Sequence, residues 1–235
     1  MASPSKALLC LHGTGSSANI FRLQLAKFRL ALNDFEFVFM DAPYPAPAGP
    51  GVLPMFAAAA PFHGWFSGQD ATIDGRLDTI NDAIRVTVEK WETSKKNPKA
   101  QIVGVLAFSE GALVASMLLW QQQIGLLPWL PTLYFATLIC CFFPDEAAVR
   151  MLADSKARGN EKALIEVPTL HIHGRQDFCL TRAQKLVAEH YRPDSADVME
   201  FSGGHQVPNR REDCAEATKR IMKLFQKTIV DCPSN

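Results

Sequence analysis

The sequence carries no surplus of either charge: 24 Lys plus Arg stand against 24 Asp plus Glu. That balance leaves no electrostatic footprint for nucleic acid. No run of Lys or Arg suggests attachment to an anionic membrane surface. The six cysteines are Cys10, Cys140, Cys141, Cys179, Cys214 and Cys232. None forms a C-x-x-C pair, and no Cys/His spacing resembles a zinc site. Most lie in apolar stretches and read as buried, reduced thiols, which fits a reducing compartment such as the cytoplasm. There is no internal repeat. Gly13-Thr14-Gly15-Ser16-Ser17 matches neither the P-loop nor the dinucleotide fingerprint, so no nucleotide cofactor is expected. No metal is expected either. The apolar run before His12 is too short for a signal-peptide core and reads as a first strand.

One stretch lacks charge altogether. From Ile124 to Phe143 no ionisable acid or base interrupts an apolar run of about bilayer length. Pro128 and Pro131 break it, so the part from Thr132 to Phe143 is expected to be a buried central strand rather than a membrane span.

What is present is a large apolar fraction, 48% of 235 residues, enough for one domain over the whole chain. Strand-length apolar runs alternate with helical patterns. Strands are expected at Ala7–Leu11, Phe35–Met40, Gln101–Phe108, Thr132–Phe143, Thr169–His173 and Asp197–Phe201. Helices are expected across Ser17–Ala31, Gly75–Thr93, Glu110–Gln122, Glu146–Leu152, Thr181–His190 and Glu212–Ile229. Such alternation implies an α/β fold, with a mostly parallel sheet of about six strands and helices on both faces. Ligands then bind beyond the carboxyl ends of the strands. Tyr44–Gln69 breaks the pattern with five prolines, Met55, Phe56, Phe62, Trp65 and Phe66. Its length suggests a lid-like insertion that lines an acyl pocket. The alternative is that its aromatics complete the core.

The chemistry gathers in the loops after the strands. In Ala107-Phe108-Ser109-Glu110-Gly111 an apolar strand runs into a serine and then directly into an apolar helix, the context of a nucleophile elbow. A serine hydroxyl needs a base. Among six histidines, His205 alone follows a late strand in a Gly-Gly-His loop, where the order Ser…Asp…His requires it. An acid must hold the imidazole. Asp177, after the strand Thr169–His173, is preferred, and Asp145, which also follows a strand, is the alternative. Two backbone N–H groups are expected to stabilise an oxyanion: Glu110, next to the nucleophile, and Thr14, in the loop after the first strand.

Taken together these segments resemble the FSH-type serine hydrolases of the α/β-hydrolase fold. The resemblance rests on Leu9-Cys10-Leu11-His12-Gly13-Thr14-Gly15, Asp41-Ala42-Pro43, Trp65-Phe66, Phe108-Ser109-Glu110-Gly111-Ala112, His171-Ile172-His173-Gly174 with Asp177, and Gly203-Gly204-His205 with Val207-Pro208. It implies a serine esterase or thioesterase with Ser109, Asp177 and His205 as triad, and places Val207 with the substrate-binding residues. It also implies that the substrate is a small-molecule ester or acyl thioester. Relatives in polyketide secondary metabolism suggest a chain bound to a carrier on the synthase. Ala107 stands where many members have glycine, and Glu110 where many have glutamine. Two alternatives stay open: acyl transfer or cyclisation without hydrolysis, and a catalytically inactive binding protein.

Overall fold

The structure is a computed structural model that describes residues 5–68, 72–159 and 164–231. Gln69 and Cys232 lie outside the described residues. Six strands form one parallel sheet: β1 (Lys6–Leu11), β2 (Phe35–Met40), β5 (Gln101–Phe108), β6 (Phe135–Ile139), β7 (Thr169–Gly174) and β8 (Ala196–Phe201). Their order across the sheet is β2-β1-β5-β6-β7-β8. The short strands β3 (Tyr44–Ala46) and β4 (Phe62–Gly64) make a separate antiparallel pair within the proline-rich segment. Parallel strands need crossover helices, and these cover both faces.

One face carries α1 (Ala18–Gln24), α2 (Ala26–Ala31) and α7 (Arg211–Asp231). There Phe21, Phe28, Ile221 and Phe225 pack on Leu8, Cys10, Leu106 and Ile139. The other face carries α3 (Ile73–Ser94), α4 (Glu110–Gln123), α5 (Asp145–Ala157) and α6 (Leu180–His190). Ile73, Leu77, Ile80, Ile84, Val88 and Trp91 form one buried stripe on α3, at the three- and four-residue spacing of a helix face. The Thr72 hydroxyl caps that helix by accepting from the Gly75 N–H. Every residue of α4 from Gly111 to Gln121 is buried, so the helix that follows Ser109 is anchored on all sides. Each fully buried Leu, Ile or Phe contributes about 1.5–3 kcal/mol.

Three expected elements differ in extent. The helix expected over Ser17–Ala31 is divided at Leu25, whose dihedrals (φ −87°, ψ 11°) leave the helical region. The Leu25 N–H still donates to Phe21 O, and Arg29 N–H to Leu25 O, so the two halves remain hydrogen-bonded. The strand expected over Thr132–Phe143 is confined to Phe135–Ile139. Cys140 ends it by turning left-handed at φ 51°. The short helix expected at Glu146–Leu152 spans Asp145–Ala157. Among the described residues no helix is long and apolar enough to cross a membrane.

Candidate active site

The six strand ends deliver their loops to one edge of the sheet. β5 ends at Phe108, and Ser109 follows at φ 54°, ψ −121°, a strained left-handed conformation for a residue with a side chain. The Ser109 N–H is held by Ile139 O at the end of β6, 2.9 Å away. The elbow needs close backbone approach. A Cβ on Gly111 would lie 2.4 Å from both His12 O and Leu11 O, and one on Gly13 would lie 3.2 Å from the Ser109 Cβ. Glycine is required at position 111, where the clash is with backbone, while at position 13 the added atom would also press on the Phe108 ring at 2.9 Å.

β7 delivers Asp177 and β8 delivers His205. Their loops are fastened together: Arg175 N–H donates to Phe201 O, and Gln176 N–H to Gly203 O at 2.8 Å. Asp177 is buried. Its Oδ1 accepts from the Cys179 N–H at 2.8 Å, which fixes the carboxylate before it meets the histidine. His205 Nδ1 lies 2.9 and 3.0 Å from the two Asp177 carboxylate oxygens. His205 Nε2 lies 2.7 Å from Ser109 Oγ. Each ring nitrogen thus has one partner: Nδ1–H donates to the acid, which leaves Nε2 free to accept from the serine. Asp145 is the exposed first residue of α5, and its place at Nδ1 is taken by Asp177.

Thr14 sits between β1 and the proline-rich segment. Gly49 packs so closely that a Cβ there would lie 2.2 Å from Thr14 O. The loop is pinned from two further sides. Ser16 and His63 exchange backbone hydrogen bonds of 3.2 and 2.8 Å, and Gly49 N–H donates to Gly15 O. His12 is buried and structural. Its Nε2 accepts from the Ala42 N–H at 3.0 Å, and its Nδ1 bonds Gly13 O at 2.7 Å. Burial holds its pKa below the ordinary value, so it stays neutral. Asp41 in turn accepts from the Ala18 N–H at the start of α1, which accounts for the acid of the Asp-Ala-Pro motif.

The residues expected to line a pocket separate into groups. Trp65 is 0% exposed, and its indole N–H donates to His12 O at 2.7 Å, so it belongs to the core beneath the site. Val207 is likewise buried, in the cluster with Phe21, Phe201 and Cys10. Phe56, Phe62 and Phe66 are half-buried, and Met55 is 81% exposed. A separate groove of about 700 Å³ lies between β2 and α3, lined by Val38, Met40, Val86 and Trp91, and includes none of the triad.

Four features escape sequence reasoning. Phe178, directly after Asp177, is 76% exposed, with its ring centroid 4.7 Å from that of His205. Phe108 stands 5.2 Å from the same ring. Cys140 brings its thiol to the Asp177 carboxylate, and burial together with that charge pushes the thiol pKa up. The Glu110 side chain, which would ordinarily extend toward solvent at a helix start, turns inward and accepts from the Trp65 N–H at 2.8 Å. Burial raises its pKa, against hydrogen bonds from Trp65, Thr14 and Phe66 that lower it. Only adjacency to known motifs pointed to these positions.

A strained serine, an imidazole and a buried carboxylate in hydrogen-bonded series define a serine hydrolase of the α/β-hydrolase fold. Residues 1–217 match the family described as serine hydrolase (FSH1), and the chain belongs to that family. It is 49% identical over 233 residues to the esterase mlcF of Penicillium citrinum, covering 95% of this chain and 92% of that one. It is 46% identical over 242 residues to the dihydromonacolin L-[lovastatin nonaketide synthase] thioesterase of Aspergillus terreus, covering 95% and 94%. Among solved structures, esterase PE8 superposes with a TM-score of 0.62 at 17% identity over 94% of both chains. Acyl-protein thioesterase 2 of Zea mays gives 0.54 at 16% over 95% of both. At such identities the structures attest the fold.

Proposed function

We propose that Ser109, His205 and Asp177 are the catalytic triad of an esterase or thioesterase that works through an acyl-serine intermediate. The observation that carries this reading is the unbroken series from Ser109 Oγ through His205 to Asp177, with steps of 2.7 and 2.9 Å. Ser109 Oγ attacks the acyl carbon while His205 Nε2 takes its proton. Asp177 holds Nδ1–H and stabilises the imidazolium. The backbone N–H groups of Glu110 and Thr14 meet the oxyanion. His205 then protonates the departing thiol or alcohol. Water, deprotonated by the same nitrogen, releases the carboxylic acid.

The substrate class follows from the relatives and the mouth of the site. The similar Aspergillus terreus protein is named dihydromonacolin L-[lovastatin nonaketide synthase] thioesterase. The exposed Phe178 ring beside His205 offers apolar surface for an acyl chain, and we assign the half-buried Phe62 and Phe66 to the same surface. We read the natural substrate as a polyketide-type acyl thioester held on a carrier, and the whole chain as one functional domain. Five buried free cysteines suit a reducing cytoplasm. No cofactor or metal enters the scheme.

The test is turnover of an octanoyl thioester of pantetheine. The reading expects a burst of free thiol equal to the enzyme concentration, a transient octanoyl adduct on Ser109, and octanoic acid as product. Product without any adduct, or thiol release without free acid, contradicts hydrolysis by acyl-serine.

A further inference from the structure

The Glu110 backbone N–H is one of the two proposed oxyanion donors. Its side chain has a second set of partners. Oε2 accepts from the Trp65 N–H at 2.8 Å, and the Thr14 hydroxyl and Phe66 N–H also face the carboxylate and favour its charged form. A carboxylate is acceptor-only, with about four lone-pair sites, so it has capacity for the Trp65 N–H and for the polar groups of Thr14 and Phe66 that face it. A charge in this mostly buried position needs such partners.

The donors come from two places that matter. Thr14 supplies the second oxyanion N–H, and its hydroxyl faces the carboxylate of the very residue that supplies the first. Trp65 and Phe66 follow β4, whose Gly64 lies so near Thr14 that a Cβ would meet Thr14 Oγ1 at 3.0 Å. Trp65 is held a second time through its indole on His12 O. One side chain therefore ties together the nucleophile elbow, the loop after β1 and the segment after β4.

We propose that the Glu110 carboxylate is the positioning residue of the oxyanion hole, setting the distance between the Thr14 and Glu110 N–H groups. A hole works only when both donors are aimed in advance at the developing oxyanion. Thr14 lies in a loop, and loops hold a geometry only as well as their tethers. A helix-terminus charge that merely favoured α4 would need none of these three partners.

This proposal rests on the triad reading, and the test separates the two. Glu110→Ala, Glu110→Gln and Thr14→Val are compared with the native enzyme by active-site titration with a fluorophosphonate, by kcat and KM, and by affinity for an alkyl boronic acid, which becomes tetrahedral on Ser109. Glu110→Ala should lower kcat about 10–100-fold, below the roughly 10²–10³ for complete loss of one donor. KM should stay within about twofold, the part that signals a transition-state effect. Boronate affinity should fall with kcat, while the titratable fraction of Ser109 stays native. Glu110→Gln keeps an acceptor for the N–H groups and an amide for the Thr14 hydroxyl, so it should recover most of the loss. Thr14→Val, which keeps the shape but deletes the hydroxyl, should move kcat and boronate affinity down together by a smaller factor.

The proposal is overturned if Glu110→Ala keeps native kcat, or if its loss of activity only tracks a smaller titratable fraction. Should that variant fail to fold, native boronate affinity in Thr14→Val overturns it alone. A native enzyme whose Ser109 does not titrate would instead sink the triad reading, whatever Glu110 does.

Discussion

At the scale of single residues the decisive pair is Asp177 and Asp145. Both follow strands in the sequence, and only position in three dimensions separates them. Asp177 is buried, held by the Cys179 N–H, and 2.9 Å from His205 Nδ1. Asp145 is exposed at the start of α5. Asp177→Asn should therefore lower kcat by up to about 10⁴-fold, because the amide no longer selects the productive tautomer. Asp145→Asn should stay within about threefold of native, since an exposed helix-start charge contributes only about 0.3–1 kcal/mol, and to stability. The reverse ranking in steady-state kinetics would reassign the acid.

Glu110 gives a second residue-scale prediction, with its sign set by linkage. Burial raises its folded-state pKa above the ordinary value of 4.5. The folded protein then binds the proton more tightly than the unfolded chain, so this group's contribution to stability falls as pH rises through the interval above 4.5. Glu110→Gln removes that term. The melting temperature of the variant relative to native should rise as the pH climbs above about 4.5, and a difference that is flat or falls would contradict the assignment of the shift.

Residue identities were legible where chemistry restricts them. Ser109, His205 and Asp177 stand out because few residue types serve those roles, and the chain order of the roles is fixed. The Glu110 side chain, Phe178 and Cys140 were not legible. Their parts depend on approaches between segments far apart in sequence, such as Trp65 reaching back to Glu110 or Phe178 lying against His205.

At the scale of elements, strands and helices were readable because a sheet covered on both faces demands continuous apolar strands and amphipathic helices. Their ends were less so. Cys140 ends β6 by a left-handed turn that no turn residue announces. Leu25 interrupts the first helix with neither proline nor glycine beside it.

The proline-rich segment shows the limit of composition as a guide. Its aromatics read as one pocket wall, yet Trp65 is core while Phe62 and Phe66 remain half-buried. Two outcomes follow. Trp65→Ala should cost about 3–5 kcal/mol in denaturant unfolding, as for other buried Trp truncations, and should leave the acyl chain-length profile unchanged. Along p-nitrophenyl esters from two to eight carbons, native kcat/KM should rise, each buried CH₂ adding at most about 0.8 kcal/mol. Phe178→Ala should flatten that rise. A flat native profile would remove the acyl-surface reading of Phe178, Phe62 and Phe66.

At the scale of the whole molecule, a neutral chain directs attention away from charged polymers and toward one edge of the sheet. The β5, β7 and β8 ends bring Ser109, Asp177 and His205 together from three separate loops, and the β1 loop carries Thr14, the proposed oxyanion donor. Backbone hydrogen bonds between neighbouring loops hold them in place. The architecture and the motif order were legible because each strand end carries its own short signature. The spacing between those signatures, and hence the triad distances, exists only once the sheet is formed.

The central claim is that this assembly performs acyl transfer through Ser109. Intact-mass spectrometry of the native enzyme and Ser109→Ala, each treated with a fluorophosphonate and assayed in parallel on the octanoyl thioester, tests it most directly. The account predicts one adduct per native chain, located on Ser109. It predicts none on the variant, whose fold is native by circular dichroism and whose turnover is lower by several orders of magnitude, about 10⁴-fold or more. Near-native turnover by Ser109→Ala, or an adduct that persists at another residue, would contradict it.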